Sequence, residues 1–139
     1  MQQQRTILLA EPDARLRETW RDGLVAMGFL VLESADGSAA LRMALRSEVN
    51  LLITELYLPS GGERCLVRAA RREPGLHRVR ILVASDHGET DDRNWALAAG
   101  ADAYLVKPVR LGRMLQISGR LATSRQRSRA ALRADATET

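Results

Sequence analysis

The chain has 139 residues, a formal net charge of +4 and a sequence pI near 10.2. That length gives one domain, large enough to bury about two-thirds of its unfolded surface without a disulfide or structural metal. Cys65 is the single cysteine, and no apolar run approaches the length of a membrane span, so a reducing, cytoplasmic setting is expected.

In chain order, Thr6 to Ala10 is a short apolar run and reads as a buried strand. Asp13 is placed to N-cap a helix running to about Met27, with Leu16, Trp20, Leu24 and Met27 on one face and Gly28 as its stop. Gly23 lies inside that helix at a cost of up to about 1 kcal/mol against Ala. Phe29 to Glu33 predicts a second strand, and Asp36-Gly37 a turn or cap. A short helix follows to Arg46, with Ala40, Leu41, Ala44 and Leu45 inward. Leu51 to Thr54 reads as a third strand, and Leu58 to Gly62 as a loop. A third helix spans about Glu63 to Arg72 and ends at Pro74-Gly75. Arg80 to Ala84 is the fourth strand, and Thr90 or Asp91 caps a helix that stops at Gly100. Ala103 to Val106 is the fifth strand. Leu111, Met114, Leu115 and Leu121 mark a last helix.

Strict alternation of five strands with five helices predicts a parallel sheet covered on both faces, a doubly wound α/β domain over residues 1–122. Residues 123–139 form a basic tail with little apolar content, expected as a frayed helix or a disordered end.

In such a sheet, ligands bind beyond the carboxyl ends of the strands. Glu11, Pro12 and Asp13 follow the first strand, Glu33 and Ser34 the second, Glu55 the third, Ser85 and Asp86 the fourth, and Lys107 the fifth. Lys107 is the lone lysine in an arginine-rich chain, which hints that a compact ammonium is wanted there instead of a planar guanidinium. No Gly-rich phosphate loop follows the first strand, which argues against a dinucleotide or flavin site. Asp86-His87 after Ser85 lacks a third partner and a nucleophile elbow, so no hydrolase triad is read. The edge does not read as an enzyme active site.

Four segments resemble the receiver domain of bacterial two-component response regulators. They are Ile7 to Asp13 with Arg17 following, Leu51 to Pro59 around Glu55, Ile81 to Ser85, and Ala99 to Pro108 with Tyr104 and Lys107. The resemblance implies a flavodoxin-like (βα)5 fold with strand order 2-1-3-4-5. It implies phosphoryl transfer from a histidine kinase onto an Asp after the third strand. It also implies Mg2+ held by that Asp, two acids after the first strand and a backbone carbonyl two residues on. A hydroxyl and a lysine, here Ser85 and Lys107, bind the phosphoryl oxygens, and an aromatic at Tyr104 acts as the switch. A contact surface, or a homodimer interface, is implied around the fourth helix, fifth strand and fifth helix.

The chain departs from that pattern where the chemistry is most sensitive. Glu55 stands at the phosphoacceptor position, Pro12 replaces one metal-binding acid, and Gly62 matches an acidic loop position. Glu11 is the remaining metal-ligand candidate and is a methylene longer than Asp. Octahedral Mg2+ tolerates little error in donor placement, and in-line phosphoryl transfer depends on positioning and charge neutralisation. Weak or no Mg2+ binding and inefficient phosphorylation are therefore expected, an atypical pseudo-receiver. Two readings of Glu55 stay open: a built-in mimic of the phosphoryl group paired with Lys107 and Ser85, or part of an inert polar cluster.

The other candidates have plainer readings. Asp13 reads as a helix cap, Tyr104 equally as a half-buried sheet-edge residue, His77 and His87 as surface positions, and Cys65 as a small core or boundary residue. A phosphoaccepting receiver that tolerates Glu is the first alternative. The second is a nucleic-acid binder using Arg120, Arg125, Arg127, Arg129 and Arg133. Their spacing gives no clean stripe and no aromatic is interleaved for stacking.

Overall fold

The computed structural model describes residues 4–59 and 65–124. The strands are β1 (Thr6–Ala10), β2 (Leu30–Ser34), β3 (Leu51–Thr54), β4 (Arg80–Ser85) and β5 (Ala103–Val106). The helices are α1 (Ala14–Ala26), α2 (Gly37–Arg46), α3 (Leu66–Arg71), α4 (Thr90–Ala99) and α5 (Leu111–Thr123). All strand pairs are parallel, in the order β2-β1-β3-β4-β5. No helix among the described residues is long and apolar enough to cross a membrane.

The period of two along each strand sorts the core into two layers. Leu8, Ala10, Leu52, Ile81, Val83 and Tyr104 point to one face, where Ala40, Ala44, Leu66, Ala70 and Ala96 of α2, α3 and α4 cover them. Ile7, Leu9, Leu51, Ile53, Leu82 and Leu105 point to the other, under Trp20 and Leu24 of α1 and Met114, Ile117 and Leu121 of α5. The central strands β1, β3 and β4 are buried along their whole length, as a parallel sheet covered on both faces requires.

Local chemistry sets the helix starts at Asp13 and Asp36. Asp13 accepts hydrogen bonds from the backbone N–H groups of Arg15 and Leu16, and Asp36 from that of Ala39. The fourth helix differs from expectation: Glu89 is its N-cap and makes no side-chain capping bond. Gly23 has a packing reason. A Cβ there would stand 3.0 Å from Leu115 Cδ2 and 3.2 Å from Leu111 Cδ1, so the missing side chain lets α5 lie close on α1.

Two apolar residues assigned to a helix's inner face, and one that marks a helix start, are exposed. Met27 is exposed because α1 ends at Ala26 and Met27 is already the C-cap. Leu45 is exposed because Ala40 and Ala44 fill the narrow inner stripe of α2. Leu111 is exposed at the first turn of α5. The second strand begins at Leu30, while Phe29 is buried just before it. A 3-10 turn at Pro74–Leu76 links α3 to β4. The predicted helix start at Glu63, Gly62, and the tail beyond residue 124 lie outside the described residues, whereas α5 itself continues to Thr123.

A buried staple closes the amino-terminal edge of the sheet. Arg71, at the end of α3, donates to the carbonyls of Gly100 (3.0 Å), Leu76 (3.0 Å) and Val79 (2.8 Å). It also pairs with Asp102 Oδ2 at 3.3 Å, and that oxygen accepts the Ile81 N–H at 2.8 Å.

Candidate functional site

The β2-β1-β3-β4-β5 order puts the ends of β1, β3, β4 and β5 side by side. One short step past each strand carries Glu11, Glu55, Ser85 and Lys107 to one place. Glu11 and Ser85 are fully buried, and the side chains of Glu55 and Lys107 are nearly so.

Lys107 Nζ lies between the two carboxylates, 2.7 Å from Glu11 Oε1 and 2.6 Å from Glu55 Oε2. The Glu11 contact is an ion pair at short range without the angle of a good hydrogen bond. Burial alone would lower the Lys107 pKa; the close contacts with the charged Glu11 and Glu55 outweigh it and hold the ammonium above its ordinary range.

The remaining carboxylate oxygens are also engaged. Glu11 Oε2 accepts the Asp13 N–H at 2.9 Å. Glu55 Oε1 accepts the Leu56 N–H at 3.1 Å and a short hydrogen bond from Ser85 Oγ. Arg17 holds the turn from behind: it donates to the Glu11 carbonyl at 2.6 Å and pairs with Glu33 Oε1 at 3.4 Å.

The cluster reaches the β4–α4 loop through hydrogen bonds. The His87 N–H donates to Ser85 Oγ at 3.1 Å. Tyr104 is fully buried rather than half-buried, and its hydroxyl donates to the His87 carbonyl. Burial raises the Tyr104 pKa against the opposing effect of Ser85. The exposed rings of Tyr57 and His87 meet edge to face at 5.4 Å between centroids. Beside them opens a cleft of about 570 Å3 lined by Glu11, Pro12, Glu55, Tyr57, His87 and Lys107, among others.

Sequence reasoning placed Glu11, Glu55, Ser85 and Lys107 at one edge, and the geometry unites all four; Tyr104, which the resemblance marks as the switch aromatic, is joined to them through the His87 backbone. The same reasoning left His77 and His87 at the surface. His77 stays there, bonded to the Pro74 carbonyl, but the His87 backbone links Ser85 to Tyr104. Nothing in the residue type marks that link, because main-chain atoms make it. Asp13 is the cap that was expected, and its N–H also anchors Glu11. Cys65 is buried at the N-cap of α3.

The donor set was tested for Mg2+, which takes near-octahedral oxygen donors at about 2.0–2.1 Å. Pro12 offers no side-chain oxygen, every carboxylate oxygen of Glu11 and Glu55 has a protein partner, and an ammonium lies between the two groups. Among the described residues no group of three His, Cys, Asp or Glu is arranged to hold a metal. These residues do not fit that ion.

Five parallel strands in this order, with acids, a hydroxyl and a lysine converging beyond their carboxyl ends, define a receiver-type signalling domain. The chain belongs to the response regulator receiver domain family, whose model matches residues 7–118. It is 37% identical over 124 residues to the response regulator protein PmrA of Pseudomonas aeruginosa, covering 89% of this chain and 55% of that protein. It is 31% identical over 125 residues to the transcriptional regulatory protein PrrA of Mycobacterium tuberculosis, covering 85% and 53% respectively. The chain thus spans about half the length of these curated relatives. Its fold matches the chemotaxis response regulator CheY4 of Vibrio cholerae with a TM-score of 0.78 at 22% identity, over 86% of this chain and 99% of that one. The receiver domain of a Pseudomonas aeruginosa sensor histidine kinase, crystallised with magnesium coordinated in its active-site cleft, matches with a TM-score of 0.77 at 27% identity, over 88% and 100%.

Proposed function

We propose that this receiver signals by protein–protein contact without being phosphorylated, with Glu55 as a permanent negative charge in place of a phosphoryl group. The observation that carries the reading is the closed set of contacts around Glu55: Lys107 on one oxygen, Ser85 and the Leu56 N–H on the other. Lysine and serine are the groups that would receive phosphoryl oxygens, and here a resident carboxylate occupies them. The hydrogen bonds from Ser85 through His87 to Tyr104 give that charge a route to the surface. The domain turns over no substrate in this reading; it presents one conformation to a histidine kinase or a downstream effector.

The lack of a fitting Mg2+ donor set supports the same reading, since phosphoryl transfer needs the metal to neutralise developing charge. The test is to add Mg2+ with a small phosphodonor, and separately with beryllofluoride, and to follow intact mass and amide shifts. No mass gain and no Mg2+-dependent shifts are expected. A stable mass gain at Glu55, or Mg2+-dependent shifts at Glu11, Ser85 and Lys107, overturns the proposal in favour of a phosphoaccepting receiver. Glu55→Gln separates a mimic from an inert cluster: a mimic moves the amides of His87, Tyr104 and Val106, whereas an inert cluster moves only residues in direct contact.

A further inference from the structure

A cavity of about 590 Å3 opens at the amino-terminal edge of the sheet, at the far end of the strands from Glu55. The entries of β1, β3 and β4, the end of α2, the 3-10 turn and the end of α5 surround it. None of the groups that meet at the carboxyl-terminal edge lines it. Its size is that of a small-molecule site.

Arg5, Arg78 and Arg80 line this cavity, and Glu48 is the only carboxylate among the described residues that does. Two positive charges are left over. Arg5 and Arg78 are exposed, whereas Arg80 is 7% exposed and donates to the Arg78 carbonyl at 2.7 Å. A buried, anchored guanidinium holds its fork in place ahead of a ligand. Asn50 is anchored in the same way. Its Oδ1 accepts the Thr6 N–H at 2.8 Å, which leaves the amide Nδ2 as a donor in the lining. Ser47 adds a hydroxyl.

The apolar part of the lining is aliphatic. Leu76, Val79 and Leu121 are otherwise buried, and Leu45 stays 49% exposed. Arg71 fixes this part, since it donates to the carbonyls of Leu76 (3.0 Å), His77 (3.4 Å) and Val79 (2.8 Å). The cavity is therefore preformed, with anchored donors beside an anchored apolar surface.

We infer that this cavity binds a phosphate monoester carried on an aliphatic body, with phosphoryl oxygens on Arg5, Arg78, Arg80 and Asn50 and the chain on Leu45, Leu76 and Leu121. A monoester carries a charge of about −1.5 to −2 at pH 7, which matches the excess of the lining, and guanidinium forks take phosphoryl oxygens in pairs. A carboxylate supplies less of that charge. A nucleotide base is a poorer body than an alkyl chain, because no aromatic residue lines the cavity for stacking. The chain's own continuation past Ser124 is a poor occupant, since Arg125, Arg127, Arg129 and Arg133 precede any acid there. The inference does not depend on the reading of Glu55, which lies at the other edge.

The test titrates hexyl phosphate into the full chain, isotope-labelled, at physiological salt. Inorganic phosphate, hexanol, a single-stranded oligonucleotide and vesicles containing phosphatidic acid are run beside it. Hexyl phosphate is expected to shift the amides of Ser47, Asn50, Val79 and Arg80 saturably, at least about tenfold tighter than inorganic phosphate, and hexanol to shift none. Arg78→Glu should weaken hexyl phosphate at least about tenfold, and Arg5→Gln less, in the same direction. Both positions are exposed, and amide dispersion checks that the variants fold. Leu45→Ser should shrink the preference for hexyl phosphate and leave the affinity for inorganic phosphate unchanged. Vesicle sedimentation that Arg78→Glu abolishes assigns the monoester to a lipid headgroup; hexyl phosphate binding without it assigns a soluble ester. No shift at the cavity, equal affinity for hexyl and inorganic phosphate, shifts at Glu55 and Lys107 in its place, or tighter binding of the oligonucleotide there would each overturn the inference. So would ligand-free shifts at the cavity in the double variant Asp135→Asn with Glu138→Gln, which would make the chain's own acids the occupant.

Discussion

The two edges of the sheet each carry a buried ion pair, and they are built differently. At the amino-terminal edge, Arg71 spends its donors on four backbone carbonyls as well as on Asp102. It ties α3, the 3-10 turn, the β4 entry and the β5 entry into one unit. At the carboxyl-terminal edge, Lys107 contacts only side chains, two carboxylates share one cation, and an open cleft adjoins them. A guanidinium with five fixed donors suits the first task, and a compact ammonium suits the second. The lesson is that burial of a charged pair does not by itself assign a role. A pair whose donors end on backbone holds the fold; a pair made of side chains beside a cleft is free to be rearranged without unravelling it.

The comparison is broken most severely at the staple. Arg71→Ala should lose about 4 kcal/mol in urea unfolding, since it leaves Asp102 buried without its cation and four carbonyls without their donor. Adding Asp102→Asn should recover little of that, because the carbonyls stay orphaned. Lys107→Met should lose about 3 kcal/mol by the same measurement, as two buried carboxylates lose their counter-ion. Here Glu55→Gln in the same chain should recover a large part, because the loss is purely one of charge. Equal rescue at both edges would end the distinction.

An alkaline titration gives a gentler separation. The Lys107 pKa is raised in the fold, so its stabilisation is complete below the ordinary lysine range and fades only as pH climbs through the higher folded value. Arg71 carries a guanidinium that stays charged throughout. Amides around Ser85 and His87 should therefore shift in alkali before those around Gly100 and Ile81. Tyr104, whose phenol is also raised, should contribute a late absorbance step that Tyr104→Phe removes. That variant should lose only about 1 kcal/mol, the ordinary worth of one hydrogen bond.

Much of the site was readable without coordinates. Glu11, Glu55, Ser85 and Lys107 each come just after a short apolar run, and in a parallel sheet the strand ends share an edge whatever the loops do. The helix caps at Asp13 and Asp36 were readable for the same local reason. The apolar residues at element margins were not: Met27, Leu45 and Leu111 fit a helical period, but the width of the buried stripe depends on what packs opposite. The role of Gly23 was likewise hidden. Its cost to α1 is local, while its benefit is the approach of Leu111 and Leu115 from α5, far along the chain.

By itself, then, the order of residues determined the alternation of strands and helices, the parallel sheet that follows from it, and which groups stand at its functional edge. Periodicity, caps and turn chemistry are short-range, and the crossover rule turns them into a topology. Only the tertiary structure decided how those groups share their charges. The position of one ammonium between two carboxylates, and the passage of Ser85 through the His87 backbone to Tyr104, depend on distances of a few tenths of an ångström. Those distances are set by the packing of four strand ends and one loop at once, and no spacing along the chain encodes them.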